Sequence, residues 1–375
     1  MPATSSRQPG RAGPLAARLL LGSAIALALV AALHALLWRW AGSEMQAGVD
    51  AWVASRRALG WRVTHGPAQR GGWPLAATLT LPDVELNGGT ATLPGGFGLA
   101  AESLVMRVAL PRLDRLLVAM PGRNRLRLGE LDLPFAADRL SIAVPLERNV
   151  LPREATAEAE RLRLATPAGS FELRSLRLDI ETRLTATEGE PALQLALRAE
   201  DVVLPPTPPA LVALGRQLER ATLEAALTGP VPPGRFPTTK AEAWRDGGGS
   251  FELRALTLDW GKVGLGVTAT LTLDEALQPM GAGSLKMRGA NEAIAAAQSA
   301  GLLPAGMVRP ARMLVQLRSR VPPEGGPPQF EVPLTLEDRT LAAGRFPLAH
   351  LPRLVWPSPP PPPDAAQDPS LPSPE

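Results

Sequence analysis

The rhythm of hydrophobic and polar positions changes as the chain is read from its N-terminus. An unbroken apolar run comes first, then helical spacing, then alternation with a period of two. The run from Leu19 to Trp38 reads LLLGSAIALALVAALHALLW, twenty residues without a charge. At 1.5 Å rise per residue such a helix is about 30 Å long, the thickness of a bilayer's hydrocarbon core. Next, Ser43 and Gln46 form a Ser-x-x-Gln capping pattern, Met45, Val49, Trp52 and Val53 recur at helical spacing, and Gly60 ends the run. This predicts a helix over 44–59 that continues the apolar segment and lays its stripe on the domain beyond Gly60.

In that domain the pattern is that of strands. Leu75, Ala77, Leu79 and Leu81 alternate with other residues, and Asn87-Gly88 is a strong hairpin signal. The longest alternation places Val263, Leu265, Val267, Ala269, Leu271 and Leu273 on one face, with Lys262, Gly264, Gly266, Thr268, Thr270 and Thr272 on the other. One face of that strand should be dry and the other wet. Leu193, Leu195, Leu197 and Ala199 repeat the pattern over a shorter stretch. The segments 169–179 and 249–259 agree at nine of eleven positions. In both, apolar parity flips at the same place: Phe171 and Leu173 share one phase and Leu176 and Leu178 the other, as do Phe251 and Leu253 against Leu256 and Leu258. A β-bulge or strand bend produces such a flip. Two similar β units near 160–204 and 245–290 are therefore expected, with chance similarity in a biased composition as the alternative. Short helices are predicted over 209–220, 239–245 and 291–300, the last capped by Asn291 and stopped by Gly301. The tail over 357–375 is rich in proline, poor in apolar residues and expected to be disordered.

Charge decides topology more than partner. Arg7, Arg11, Arg18 and Arg39 give the first forty residues +4 with no acid, while the whole chain is +3, so residues 41–375 sum to 3 − 4 = −1. The pI of about 10.1 reflects a small excess of arginine with only Lys240, Lys262 and Lys286 as lysines, and no basic run tracks phosphates. No nucleic-acid partner is expected. The arginines before the run keep residues 1–18 cytoplasmic by the positive-inside rule. Trp38 and Trp40 fall at the far interface, so 19–40 reads as a transmembrane anchor in the bilayer and 41–356 as an exported, β-rich domain. The arginine- and alanine-rich composition is that of a bacterial protein, which places the anchor in the inner membrane as a single-pass signal-anchor and the domain in the periplasm. A cleaved signal peptide is the alternative; its apolar core would be about 7–15 residues, and Ala41-Gly42-Ser43 is a poor cleavage site.

The absence of cysteine excludes disulfides, thiol catalysis and Cys-ligated metals. With His34 in the apolar run, His65 and His350 are the histidines left to the body, and neither lies in a catalytic frame. The glycines of 261–266 (GKVGLG) fall on the wet side of a strong strand, where close packing explains them better than phosphate binding. No catalytic, cofactor-binding or metal-ligating residue is assigned, no cofactor is expected, and the chain does not read as an enzyme.

Turn and strand patterns carry a family resemblance. Trp244-Arg-Asp-Gly-Gly-Gly-Ser leads into LTLDWGKVGLGVTATLTLDEALQPMGAG, preceded by Gly-Trp-Pro at 72–74 and followed by Val332-Pro-Leu-Thr-Leu-Glu-Asp and Gly344-Arg-Phe-Pro-Leu. Over roughly 15–355 the chain resembles the uncharacterised proteobacterial family named domain of unknown function 2125. Asp338-Arg339 stands where that resemblance implies an Asp-Gly turn, leaving the turn type open. The layout is also similar to AsmA-type envelope proteins, whose β grooves are linked with lipids. The resemblance implies a single anchor and an envelope-facing body, and supplies no catalytic residue.

The expected fold is α+β: an N-terminal transmembrane helix followed by long curved antiparallel strands with a few packed helices. The expected role is that of a membrane-anchored envelope protein whose dry β face binds lipid or acyl chains. The alternatives are an ordinary filled core, and a structural or assembly partner acting through protein contacts.

Overall fold

A computed structural model describes residues 14–89, 96–146, 153–205, 214–232, 237–301, 303–321 and 327–356. Helix α1 (Pro14–Ala58) is unbroken over 45 residues. Ser43 starts no new helix: its hydroxyl donates to the Trp40 carbonyl at 2.7 Å, so the local capping signal is spent inside a continuous helix. The chain leaves α1 through Gly60, whose φ of +82° is a conformation that glycine adopts without steric cost.

Among the described residues, the strands form one antiparallel sheet of nineteen. Strands β1 (Arg62–Thr64) and β2 (Gln69–Gly71) pair with opposite ends of β3 (Ala76–Gly88), and β3 pairs with β4 (Phe97–Ala109). The sheet then forks. Residues 105–108 of β4 pair with β5 (Arg115–Ala119), and 97–101 pair with β6 (Arg123–Leu128). β6 passes to β7 (Leu131–Ala136), β5 to β8 (Arg139–Pro145), and both arms rejoin on β9 (Glu154–Thr166). From there a meander runs through β10 (Gly169–Thr182), β11 (Pro191–Val203), β12 (Gln217–Thr228), β13 (Ser250–Trp260), β14 (Val263–Leu273) and β15 (Pro279–Arg288). It continues from β15 to β17 (Gln329–Glu337), β18 (Thr340–Ala343) and β19 (Phe346–His350), with β16 (Ser319–Arg320) beside the start of β17. Helix α2 (Pro237–Asp246) interrupts the meander before β13, and α3 (Ala290–Ser299) and α4 (Ala305–Arg318) follow β15. The molecule is thus α+β, as the alternation in the sequence implies.

Several local expectations need correction. Asn87 and Gly88 are still paired, with Gly98 and Phe97, so they close the ladder instead of forming the turn. Gln217–Arg220, expected to end a helix, opens β12: Leu218 faces Val202 and is buried, and this tertiary pairing overrides helical propensity; residues 209–213 of that expectation lie outside the described residues. The N-cap of α3 is Gly289, with φ +67° and no side-chain cap bond, so Asn291 sits inside the first turn. Gly301 does stop that helix, at φ +70°. Asp338 and Arg339 both have positive φ (49° and 62°) between paired Glu337 and Thr340. Two such central residues make a type I′ hairpin turn without a glycine. The tail at 357–375 lies outside the described residues.

The parity flips have different mechanisms in the two similar segments. In β13 the flip is a bulge, with register shifts beside Ala225 and between Leu253 and Leu256. In β10 the register holds: Leu173 faces Val202 and Ser175 faces Glu200. There the neighbours bend together, Arg161 of β9 and Asp201 of β11 having φ of +48° and +47° on either side of Arg174, which is ion-paired to Asp201. Because adjacent strands flip at one level, their apolar residues stay on one side of the sheet above and below the crease.

Candidate functional site

Residues paired across antiparallel strands point to the same face. Following the pairs across the fold gives an unbroken apolar row: Leu79, Met106, Val118, Ile142, Ala157, Leu178, Leu197, Leu223, Leu256, Val267, Leu285 and Val332. A parallel row runs through Leu140, Ala159, Leu176, Ala199, Ala221, Leu258, Leu265, Met287 and Phe330. Together they form an apolar track from β3 to β17.

The track is covered unevenly. At its start Met45 and Val49 of α1 pack on Leu79, Leu81, Val84, Ala101 and Met106, and Leu79 is 0% exposed. At its end Ala290 and Ile294 of α3 and Leu314 and Val315 of α4 pack on Phe330, Val332 and Ala343. Between these plugs Leu178, Leu197, Leu223, Leu256 and Val267 are only half-buried. Each half-exposed leucine forgoes part of the roughly 1.5–3 kcal/mol that full burial supplies. Gly281 and Gly283 lie on the same face, opposite Leu271 and Ala269. A Cβ on Gly283 would collide with the Thr268 carbonyl, so the strands approach too closely there for any side chain.

Where the sheet forks, a cleft of about 560 Å³ is lined by Val84, Ala101, Asn124, Phe135 and Leu164 together with Glu102, Arg123 and Arg163. That volume is in the range of small-molecule sites. Asn124 is the polar member of the row Val84, Ala101, Asn124, Phe135, Leu164 and Phe171. It is 4% exposed, and its amide donates to the carbonyls of Met120 and Gly122.

The opposite face is polar. Arg177 of β10 binds Glu158 at 2.8 Å and Asp179 at 2.9 Å, and the Thr156 hydroxyl donates to Asp179 at 2.7 Å. Arg177 and Thr156 hold the Asp179 carboxyl below its ordinary range, and Asp179 in turn raises Arg177. These are structural ion pairs on a solvated face. His65 sits just after β1, with Nδ1 2.8 Å from the Gly66 carbonyl oxygen. His350 ends β19, with Nδ1 3.3 Å from the Thr340 hydroxyl. The structure does not bring them together. Among the described residues no group of three or more His, Asp or Glu could hold a metal ion.

The turn motifs now have causes. The Trp244 indole covers Gly249, where an added Cβ would land within the ring, and its Nε1 donates to the Thr228 carbonyl at 2.8 Å. Trp260 Nε1 donates to the Gly215 carbonyl at 2.9 Å. Asp274 accepts from the Gln278 backbone at 2.7 Å, shaping the Pro-Met-Gly approach to β15. A family model described as an uncharacterized protein conserved in bacteria, DUF2125, matches residues 38–352. The chain belongs to that family. No curated protein and no solved structure shows a match to this DUF2125 protein. The match begins at Trp38, where the apolar run ends. The helix carrying that run is long and apolar enough to cross a membrane, and residues such as Leu19, Leu27 and Leu33 are exposed along it.

Sequence reasoning found the strands and their dry faces. It missed the fork, its cleft and Asn124, because strand partners three or more elements apart leave no local signal.

Proposed function

We propose that this DUF2125 protein is a non-enzymatic periplasmic protein, tethered to the bacterial inner membrane by α1, whose apolar track binds acyl chains. The observation that carries the reading is the stretch of the apolar row over Leu178, Leu223, Leu256 and Val267, which stays half-buried beside a small buried cluster at Ala199, Val202 and Leu218 and which no helix covers among the described residues. A dry face of that length is costly to hold against water and suits a flexible hydrocarbon chain. Arg7, Arg11 and Arg18 before an uncharged span support a cytoplasmic N-terminus and a periplasmic body. The AsmA-like layout is part of this proposal. Native mass spectrometry of gently extracted protein should find lipid adducts, and Leu223→Glu should lose them while the sheet's circular dichroism is retained. Bare wild-type protein would count decisively against the track as a lipid site.

A second reading, an assembly partner, draws on α4. Met313 (65% exposed) and Leu317 (77%) lie one turn apart, at i and i+4, as exposed apolar side chains on its surface. Deleting residues 357–375 tests the tail's part: an unchanged set of partners after pull-down removes it from this reading.

A further inference from the structure

We propose that the loop at residues 71–75, Gly-Gly-Trp-Pro-Leu, is an interfacial membrane element that seats the first strands of the sheet on the bilayer. The inference rests on α1 crossing that bilayer and adds a second point of contact. The loop is bound to the side of α1 at the end of its uncharged run. Trp38 Nε1 donates to the Gly71 carbonyl at 3.0 Å, and His34 Nε2 lies 2.6 Å from the Pro74 carbonyl oxygen. The Trp73 ring sits 5.1 Å from the His34 ring and 6.0 Å from that of Trp38, centroid to centroid. His34 and Trp38 are one helical turn apart, about 6 Å along the axis. Whatever is fixed to both must share their depth, which for a span running from Leu19 to Trp38 is the boundary between acyl chains and headgroups.

The chemistry of the loop fits that depth. Trp73 is 50% exposed and Leu75 is 73% exposed. In water these would be isolated apolar surfaces; at the interface an indole and a leucine are the side chains expected. Residues 71–82 carry no charge. Exposed Arg39 directly follows the uncharged run and exposed Arg112 stands two residues beyond Leu110, cations at the level where anionic headgroups would lie, while Arg70 is held by Gln46 at 2.7 Å. The Leu110 backbone donates to the Leu75 carbonyl at 3.0 Å, so the end of β4 is held at the same level. The other end of β3 is remote: Gly88 packs under Trp61, past the end of α1 and about 30 Å along the helix from Trp38. The first strands therefore stand on the membrane by one rim, and contact between the loop and the bilayer fixes the tilt that a single helix would leave free.

The chain has no cysteine, so single-cysteine variants report one position each. Leu75→Cys, Leu131→Cys and Ala31→Cys in the full chain, each carrying a nitroxide, are reconstituted into phosphatidylcholine–phosphatidylglycerol vesicles. Power-saturation spin resonance then compares collisions with oxygen, which partitions into lipid, and with a water-soluble nickel chelate. The expected result is a higher oxygen-to-nickel ratio at 75 than at 131, with 31 highest. Position 131 opens β7, paired with Leu128 at the remote rim, and should be as accessible to nickel as free label. Equal nickel accessibility at 75 and 131, with 31 still in lipid, overturns the seating and leaves the tether standing. A nickel-accessible label at 31 overturns both.

Discussion

The ends of the sheet and its middle are built from the same kind of strand, yet they are finished differently. At β3 and β4, and again at β15 and β17, a helix lies on the apolar face and Leu79, Met106 and Val332 fall below a tenth exposed. Across β10 to β14 the facing residues Leu178, Leu197, Leu223 and Val267 are no less apolar but stay half-buried. The ends are small hydrophobic cores in the ordinary sense; the middle is a wall whose apolar side is mostly half-buried. Strand patterning alone therefore does not make a core. A second layer does: helices supply it at the ends, while in the middle the described residues bury only a small cluster of Ala199, Val202 and Leu218, with Leu204 and Trp260 packed against it.

The largest test of this contrast is Leu79→Ala, which deletes a fully buried side chain under α1 and should cost about 3–4 kcal/mol in chemical denaturation. Gly283→Val comes next: a Cβ would strike the Thr268 carbonyl, and overpacking of this kind costs about 1–3 kcal/mol. A tolerated valine would mean that the strands can part there and that the glycine has no steric role. Leu223→Ala should cost only about 1 kcal/mol, because the side chain is half-buried to begin with. A loss equal to that of Leu79→Ala would break the comparison, since it would place a covering layer over the middle. The smallest effect belongs to Asp179→Asn on the polar face. Asp179 is more acidic folded than unfolded, so its contribution is present above the unfolded carboxyl range and lost as pH falls through the lowered folded value. The variant should be slightly less stable at neutral pH and indistinguishable from wild type in acid, read from thermal midpoints across that range.

Much of this architecture is legible in the chain. The alternation over 263–273 marks β14 to the residue, and the shared parity flip of 169–179 and 249–259 foretells the crease and the bulge. Local signals mislead where tertiary pairing outweighs them. Asn87-Gly88 carries a turn signature but remains in the ladder because Gly98 and Phe97 lie opposite. α4, with Pro310 inside it, gives little local sign of a helix, and packing of Val308 and Val315 secures it. The candidate site is harder still, since the apolar row is assembled one residue per strand from positions scattered between 79 and 332.

By itself the sequence determined the apolar span, the strand faces and the absence of thiol chemistry, because these depend on residue type and short-range period. Tertiary structure alone decided that the strands join into one continuous sheet, that its fork opens a cleft around Asn124, and that, among the described residues, helices pack on the track at its two ends. Those outcomes turn on which strand edges meet and where a helix lands, and long-range contacts of that kind leave no periodic trace in the chain.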